Sequence, residues 1–244
     1  MSENESDIDL ELFGNVGEVR NAGISAETAN AEKAELERQL DYRRVLLREL
    51  SDDATVLERA RKQLDVAESL VALNRGEEAW GIAREAFNVA MSEESWQDAV
   101  EACNVLYQAE QPASIPALGM GMWLAVTFPV DPELTYTMMD HFVSETPANA
   151  DGAALAAVTA LYVIDMRASD EQHESLSFLA TNLISRVAER HSQVKNQMGL
   201  DVWVEKLELK DPQVFLPRLS LVIGAIVEEQ WWFDRDELRA KIPE

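Results

Sequence analysis

Apolar residues recur along most of this chain at the spacing of an α-helix. From Ser25, the stretch SAETANAEKAELERQLDYRRVLLREL places leucines at Leu36, Leu40, Leu47 and Leu50, at helical spacings of three, four and seven residues. The positions between them are largely polar and define the opposite face. The pattern therefore predicts a long amphipathic helix that begins at a cap near Ser25.

Five later stretches open in nearly the same way, with a serine or an aspartate followed by acids or by proline. Such residues favour a helix N-terminus, because a side-chain oxygen accepts from a free backbone N–H and the acids oppose the positive end of the helix dipole. The intervals between these openings are 41, 39, 38 and 42 residues. A helix is therefore expected to start within two residues of each of Ser51, Ser92, Asp131, Ser169 and Asp211.

Each interval of about forty residues also contains a second break, such as NRGEE from Asn74 or EQPAS near Pro112. Each unit is therefore predicted to hold two helices joined by a short turn. Stacked helix pairs bury a continuous core that a single pair cannot. The predicted fold is all-α, with stacked helix hairpins forming a right-handed α-solenoid, and an ordinary helical bundle is the alternative.

The predicted domain organisation is an acidic tail over residues 1–25 and a single helical-repeat domain over residues 26–244. The tail contains Ile8, Leu10, Leu12 and Phe13 among its charges. Chain termini are often poorly ordered unless something holds them. The tail is therefore expected to be disordered, or alternatively to be a short segment that docks on a partner or on its own domain.

One window, residues 64–97, resembles the tetratricopeptide repeat. Four signature positions agree: Leu70, Ala83, Phe87 and Ala90. Four others depart from the pattern: Ala67, Val71, Asn74 and Ser95. The spacing of about forty residues is also longer than that family's repeat and closer to that of HEAT-like repeats. The resemblance implies a scaffold of helix pairs that binds peptides or proteins.

The repeat register makes a further prediction about the core. Eight side chains should be buried between consecutive helices: Leu70, Ala83, Phe87, Ala90, Ala99, Cys103, Leu106 and Trp123. Cys103 is the single cysteine, so it forms no intramolecular disulfide and is expected to act as a small buried apolar residue.

Charge narrows the classes of partner. The formal net charge is −24 and the isoelectric point is near 4.4. Such a surface repels nucleic-acid phosphates and anionic lipid headgroups. No nucleic-acid or membrane partner is expected, and a basic protein or peptide partner would suit the charge. Solubility and adaptation to a salty cytoplasm are the alternative explanations of the acidity.

The longest apolar runs, residues 115–130 and 219–227, fall short of the roughly 18–20 residues that a membrane span requires. The acidic first residues lack the basic and apolar regions of a signal peptide. We therefore expect a cytoplasmic protein.

Residues that could carry chemistry form no complete motif. None of His141, His173 and His191 lies in an H-E-x-x-H sequence, and Asp170 with His173 forms only half of a di-iron arrangement. The stretch GMGMW, from Gly119, lacks the lysine and hydroxyl of a phosphate loop, and its two glycines are expected to permit close helix packing or to weaken that helix. We predict no catalytic activity, metal or cofactor.

Two features are candidate recognition sites. The first is the adjacent ring set Trp231, Trp232 and Phe233, which either anchors a partner or seals the end of the array. The second is a surface formed by the first helices of the units, represented by Arg59, Trp96 and Tyr136. The predicted function is a non-enzymatic protein-interaction module, an adaptor or assembly chaperone. The alternative is an accessory structural subunit of a larger complex.

Overall fold

The computed structural model describes residues 11–242, with side chains from residue 28 onward, and this part of the chain is helical without any strand. Its eleven helices are α1 (Glu11–Arg48), α2 (Val56–Ala72), α3 (Gly76–Ser92), α4 (Trp96–Gln108), α5 (Ser114–Thr127), α6 (Pro132–Glu145), α7 (Asp151–Arg167), α8 (Asp170–Ser192), α9 (Gln197–Lys206), α10 (Pro212–Val227) and α11 (Arg235–Arg239). The all-α prediction is confirmed.

Helix α1 starts earlier than the sequence pattern predicted. Ser25 lies inside the helix and not at its start, so the predicted cap is wrong. The segment from Glu11 to Arg48 contains no proline, and nothing in it forces a helix to begin at the serine. Residues 1–10 of the predicted tail lie outside the described residues, and the proposed boundary at residue 25 falls within α1.

Three of the five predicted helix starts are confirmed. Asp131, Ser169 and Asp211 are the N-cap residues of α6, α8 and α10. The carboxylates of Asp131 and Asp211 accept from backbone N–H groups two residues later, at 2.8 and 2.9 Å. Proline occupies the first helical position after both aspartates, where a missing N–H costs little.

The predictions at Ser51 and Ser92 are wrong, because each lies four or five residues ahead of the next helix. Helix α2 is capped by Thr55, which forms a reciprocal capping box with Glu58. Ser92 is the last residue of α3, and its hydroxyl donates to the carbonyl of Val89. Ser95 is the N-cap of α4. The corrected starts keep a spacing close to forty residues.

Consecutive helices pack against each other from α1 to α9. Alternate helices also meet, because α2 contacts α4, α4 contacts α6 and α6 contacts α8. We call these four helices the A row. Helix α10 departs from this order and packs against α5 and α7, which lie earlier in the chain. The A row therefore forms one surface, while α10 covers the helices behind it.

The predicted core is confirmed, since all eight side chains expected to be buried are at most 4% exposed. Helix α5 is buried on nearly every side, as expected for a helix that is apolar all round.

Two glycines of α5 lie very close to neighbouring helices. A Cβ at Gly119 would lie 2.6 Å from Val227 Cγ2, and one at Gly121 would lie 2.7 Å from Cys103 Cβ. These two glycines therefore allow close helix contacts, as the sequence indicated.

Within the described residues, we find no helix that combines the length and apolar character needed to cross a membrane.

Candidate functional site

The C-terminal rings Trp231, Trp232 and Phe233 pack against the chain's own core and are partly buried. The ring of Trp232 lies edge-on to Trp80 and Phe87 of α3, with centroid distances of 6.2 and 5.3 Å. Trp232 therefore packs on α3, an early helix of the array, and not on the last helix pair.

The other two rings of the set contact Trp123 of α5, with centroid distances of 6.3 Å for Trp231 and 5.5 Å for Phe233. A cation also contacts this ring cluster, since the Arg235 guanidinium lies 4.2 Å from the centroid of the Trp231 ring. Further along, Lys241 forms an ion pair with Glu94 in the turn after α3. The segment after α10 therefore runs back over α5 and α3.

The second set of predicted residues lies on three successive helices of the A row. Arg59 on α2 is exposed. Trp96 at the start of α4 stacks on Phe128, with ring centroids 3.9 Å apart, and Tyr136 on α6 is half-buried against the core. These residues occupy the amino-terminal halves of their helices and do not join the C-terminal ring set.

A groove crosses the carboxyl-terminal ends of the same helices. Its first part is a depression of about 220 Å³ between α2 and α4. Its lining residues are Glu68, Val71, Ala72, Asn104, Val105 and Gln108. Its second part, of about 480 Å³, shares Val71, Ala72 and Gln108 with the first and adds Asn74, Tyr107, Glu110, His141 and Glu145. The shared residues place the two parts side by side.

The third part is an apolar pocket of about 450 Å³, which we call the apolar end. Its apolar walls come from α5, α6 and α10, through Ile115, Leu118, Phe142, Val222 and Ile226. Glu145 lines both this pocket and the second part, so it marks their junction. Together the three depressions define the groove, which runs from Glu68 to the apolar end.

The ionised groups that line the groove are all carboxylates: Glu68, Glu110 and Glu145. Arg43 of α1 lies 3.1 Å from Glu68 and offsets part of the charge at that end. Helices α2, α4 and α6 all end near the groove, and a helix carboxyl end carries partial negative charge. The charged side chains that line the groove are therefore acidic, and of the three only Glu68 has an arginine partner among the described contacts.

Two neutral groups complete the middle of the groove. Burial lowers the pKa of His141 despite the nearby Asp140 and Glu145 carboxylates, so this imidazole adds no positive charge near neutral pH. The Tyr107 hydroxyl donates to Glu145 at 2.7 Å and holds this carboxylate at the groove wall. Burial, reinforced by the Glu145 carboxylate, raises the pKa of Tyr107, which therefore stays protonated.

Sequence reasoning did not select Glu68, Tyr107, Glu110 or Glu145. One signal was present, because Tyr107 and Glu145 are 38 residues apart and this separation matches the repeat interval. Residues one repeat apart on the first helices are neighbours in a stacked array. Comparing residues one repeat interval apart along the sequence would therefore have predicted that Tyr107 and Glu145 are neighbours.

The remaining residues considered for chemistry have structural contacts. Asp170 lies in the first turn of α8, and His173 contacts Asp165 at 3.0 Å. Among residues 28–242, no group of three or more histidine, cysteine, aspartate or glutamate side chains is arranged to hold a metal ion. Burial raises the pKa of the Cys103 thiol, so this sulfur is not a reactive nucleophile.

Comparison with known proteins found no match for the chain among protein-family models, curated proteins or solved structures.

Proposed function

We propose that this chain is a non-enzymatic protein-interaction module, an adaptor or assembly chaperone built as a tetratricopeptide- or HEAT-like right-handed α-solenoid. The observation that carries the proposal is the groove, which crosses the ends of α2, α4 and α6 and joins polar walls to an apolar pocket. A surface contributed by several successive repeats is suited to an extended partner rather than to a small molecule.

The charge of the whole molecule supports a protein partner. A net charge of −24 opposes the binding of phosphate backbones and anionic membranes, and the groove carboxylates have the same sign. Electrostatic attraction would instead speed the association of a basic protein, and this effect would weaken with added salt.

The alternative function is an accessory structural subunit of a larger enzyme or complex. Exposed apolar side chains on α8, α9 and α10 favour this alternative, since Phe178, Met198, Val202 and Leu221 are each at least 64% exposed. An obligate subunit would cover such side chains in a permanent interface.

Stoichiometry separates these two functions. The full chain, tagged at one end, is recovered from the cells that produce it, and each co-purifying protein is quantified by mass spectrometry against the chain itself. An adaptor recovers partners at variable amounts that fall with added salt. Recovery at a fixed integer ratio that salt does not change would support the structural subunit instead.

A further inference from the structure

We infer that the groove binds an extended, basic segment of a protein partner, with one apolar side chain in the apolar end and lysine or arginine side chains beside Glu145 and Glu110. The inference rests on the proposed function and deepens it by naming the chemistry of the partner. It is carried by the junction of two unlike parts of the groove. The apolar end and the second part, which we call the acidic channel because Glu110 and Glu145 line it, share Glu145.

The apolar end has the properties of an anchor pocket. Its volume of about 450 Å³ is open to solvent, and Ile115 at its rim is 39% exposed although it is a large apolar residue. Burying one leucine or phenylalanine side chain there would remove apolar surface from water and so favour binding. This pocket therefore favours a partner segment with a large apolar residue at one end.

The acidic channel continues directly from that anchor. Glu110 is exposed, with no hydrogen bond or ion pair from its carboxylate among the described contacts, and Glu145 accepts only the hydroxyl of Tyr107 there. Among the described residues, no lysine or arginine lines the groove beside these two carboxylates, burial lowers the pKa of His141, and Arg43 pairs with Glu68 at the other end. A lysine or arginine side chain of the partner could therefore form an ion pair with each of the two carboxylates.

The length of the segment follows from the helix spacing. Packed helices are about 8–10 Å apart, so the two steps from α2 to α6 span about 16–20 Å. An extended chain advances about 3.3 Å per residue, and about five or six residues cover this distance. The segment is therefore expected to carry its apolar anchor at one end and basic side chains at alternate positions, which point the same way in an extended chain.

Synthetic peptides of about eight residues test this arrangement, with leucine at one end, then alternating lysine and serine, and a neutral dye for fluorescence anisotropy. Peptides with leucine at the other end, with serine instead of leucine, and with glutamate instead of lysine are the comparisons. We expect one leucine–lysine order to bind at least about fivefold more tightly than its leucine-free version, and the glutamate peptide to show no binding.

Protein variants locate the binding site. Glu110→Lys should weaken the leucine–lysine peptide by about fivefold or more, while Glu85→Lys, the same charge change on the exposed face of α3, should change binding by less than about twofold. Ile115→Ser should weaken only the peptide that carries leucine. All three substituted residues are exposed, and circular dichroism confirms that each variant is folded.

Equal weakening by Glu110→Lys and Glu85→Lys would mean that only overall charge attracts the peptide, and this would overturn the inference. An unchanged affinity in Ile115→Ser would remove the apolar anchor and overturn it as well. Tighter binding of a single-stranded DNA oligonucleotide than of the peptide would assign the groove to another class of ligand. A cellular partner that binds regardless of Glu110→Lys would leave the proposed function intact and reject this groove chemistry alone.

Discussion

Arg61 of α2 donates two hydrogen bonds to the carboxylate of Asp98 on α4, from Nε to Oδ1 and from Nη2 to Oδ2, both at 2.8 Å. The two residues are 37 positions apart, about one repeat interval. Asp98 is only 7% exposed, whereas about half of the Arg61 side chain is open to solvent. The two parallel hydrogen bonds from the planar guanidinium fix the orientation of α2 relative to α4, which begin two consecutive helix pairs.

Removing this arginine should destabilise the fold, because the buried Asp98 carboxylate then loses its charged partner. We expect Arg61→Ala to lower the free energy of unfolding by about 1–3 kcal/mol, measured by urea denaturation. Arg44→Ala removes an exposed ion pair with Asp41 at 3.9 Å and is the control, with an expected loss below about 1 kcal/mol. Equal losses would show that the Arg61 pair contributes no more than a surface pair.

The same pair predicts a dependence on pH. Burial opposes ionisation of Asp98, but hydrogen bonds from Arg61 and Ser95 outweigh it and lower the pKa. A carboxyl group with a lower pKa in the folded state adds stability above its unfolded pKa of about 4, and this contribution is lost as the pH falls through the folded value. The stability difference between the wild type and Asp98→Asn should therefore be present near pH 7 and shrink toward about pH 3.

Phe87 connects the predicted core to the C-terminal rings. It is 1% exposed, so Phe87→Ala should cost about 3–5 kcal/mol of unfolding free energy. Its ring contact with Trp232 should appear as a coupling of about 0.5–1.5 kcal/mol in a double-mutant cycle of the two alanine variants. Phe178→Ala is the control, since Phe178 is 67% exposed. A loss below about 1 kcal/mol at Phe87 would refute its burial.

Glutamate has a positive φ after four of the described helices, where glycine is usually favoured, as at Glu208 with φ 55°. Its Cβ is unfavourable there, and its charge opposes the negative end of α9. Glu208→Gly should therefore raise the unfolding free energy by about 0.5–1 kcal/mol. Glu85→Gly, inside α3, should lower it by about 1 kcal/mol. Both changes in unfolding free energy are measured by thermal denaturation. Changes of the same sign in the two variants would contradict this explanation.

Two glycine substitutions test helix packing. A Cβ at Gly121 would collide with Met138 Cε and lie 2.7 Å from Cys103 Cβ, so Gly121→Ala should cost about 1–3 kcal/mol. At Gly81 of α3 a Cβ meets nothing within 4 Å, and Gly81→Ala should stabilise the helix by about 0.5–1 kcal/mol. If Gly121→Ala is tolerated without loss in a melting experiment, the close packing of α5 is incorrect.

The helices and the core could be predicted because local rules determine them. Aspartate followed by proline marks a helix start at Asp131 and Asp211 whatever the surroundings, and helical spacing placed Phe87 and Trp123 inside. The wrong prediction at Ser51 also reflects a local rule. Ser51 and Thr55 can both cap a helix, and α2 starts after Thr55 because Thr55 forms reciprocal hydrogen bonds with Glu58.

The path of the C-terminal part of the chain could not be predicted. Helix α10 packs against α5 and α7, and the contact of Trp232 with Phe87 spans more than one hundred residues. No spacing within one repeat encodes such a contact. The apolar end of the groove depends on it, because Val222 and Ile226 of α10 form one of its walls.

Site-specific photo-cross-linking in the cells that produce the protein tests the central proposal most directly. A photoreactive amino acid replaces Gln108, which is exposed in the groove, or Glu85, which is exposed on α3 outside it. Position 108 is expected to give a discrete adduct with a protein partner, lost when Glu110→Lys is added, while position 85 gives none. Adducts from position 85 alone, or no protein adduct from position 108, would contradict the assignment of the groove as the partner-binding surface.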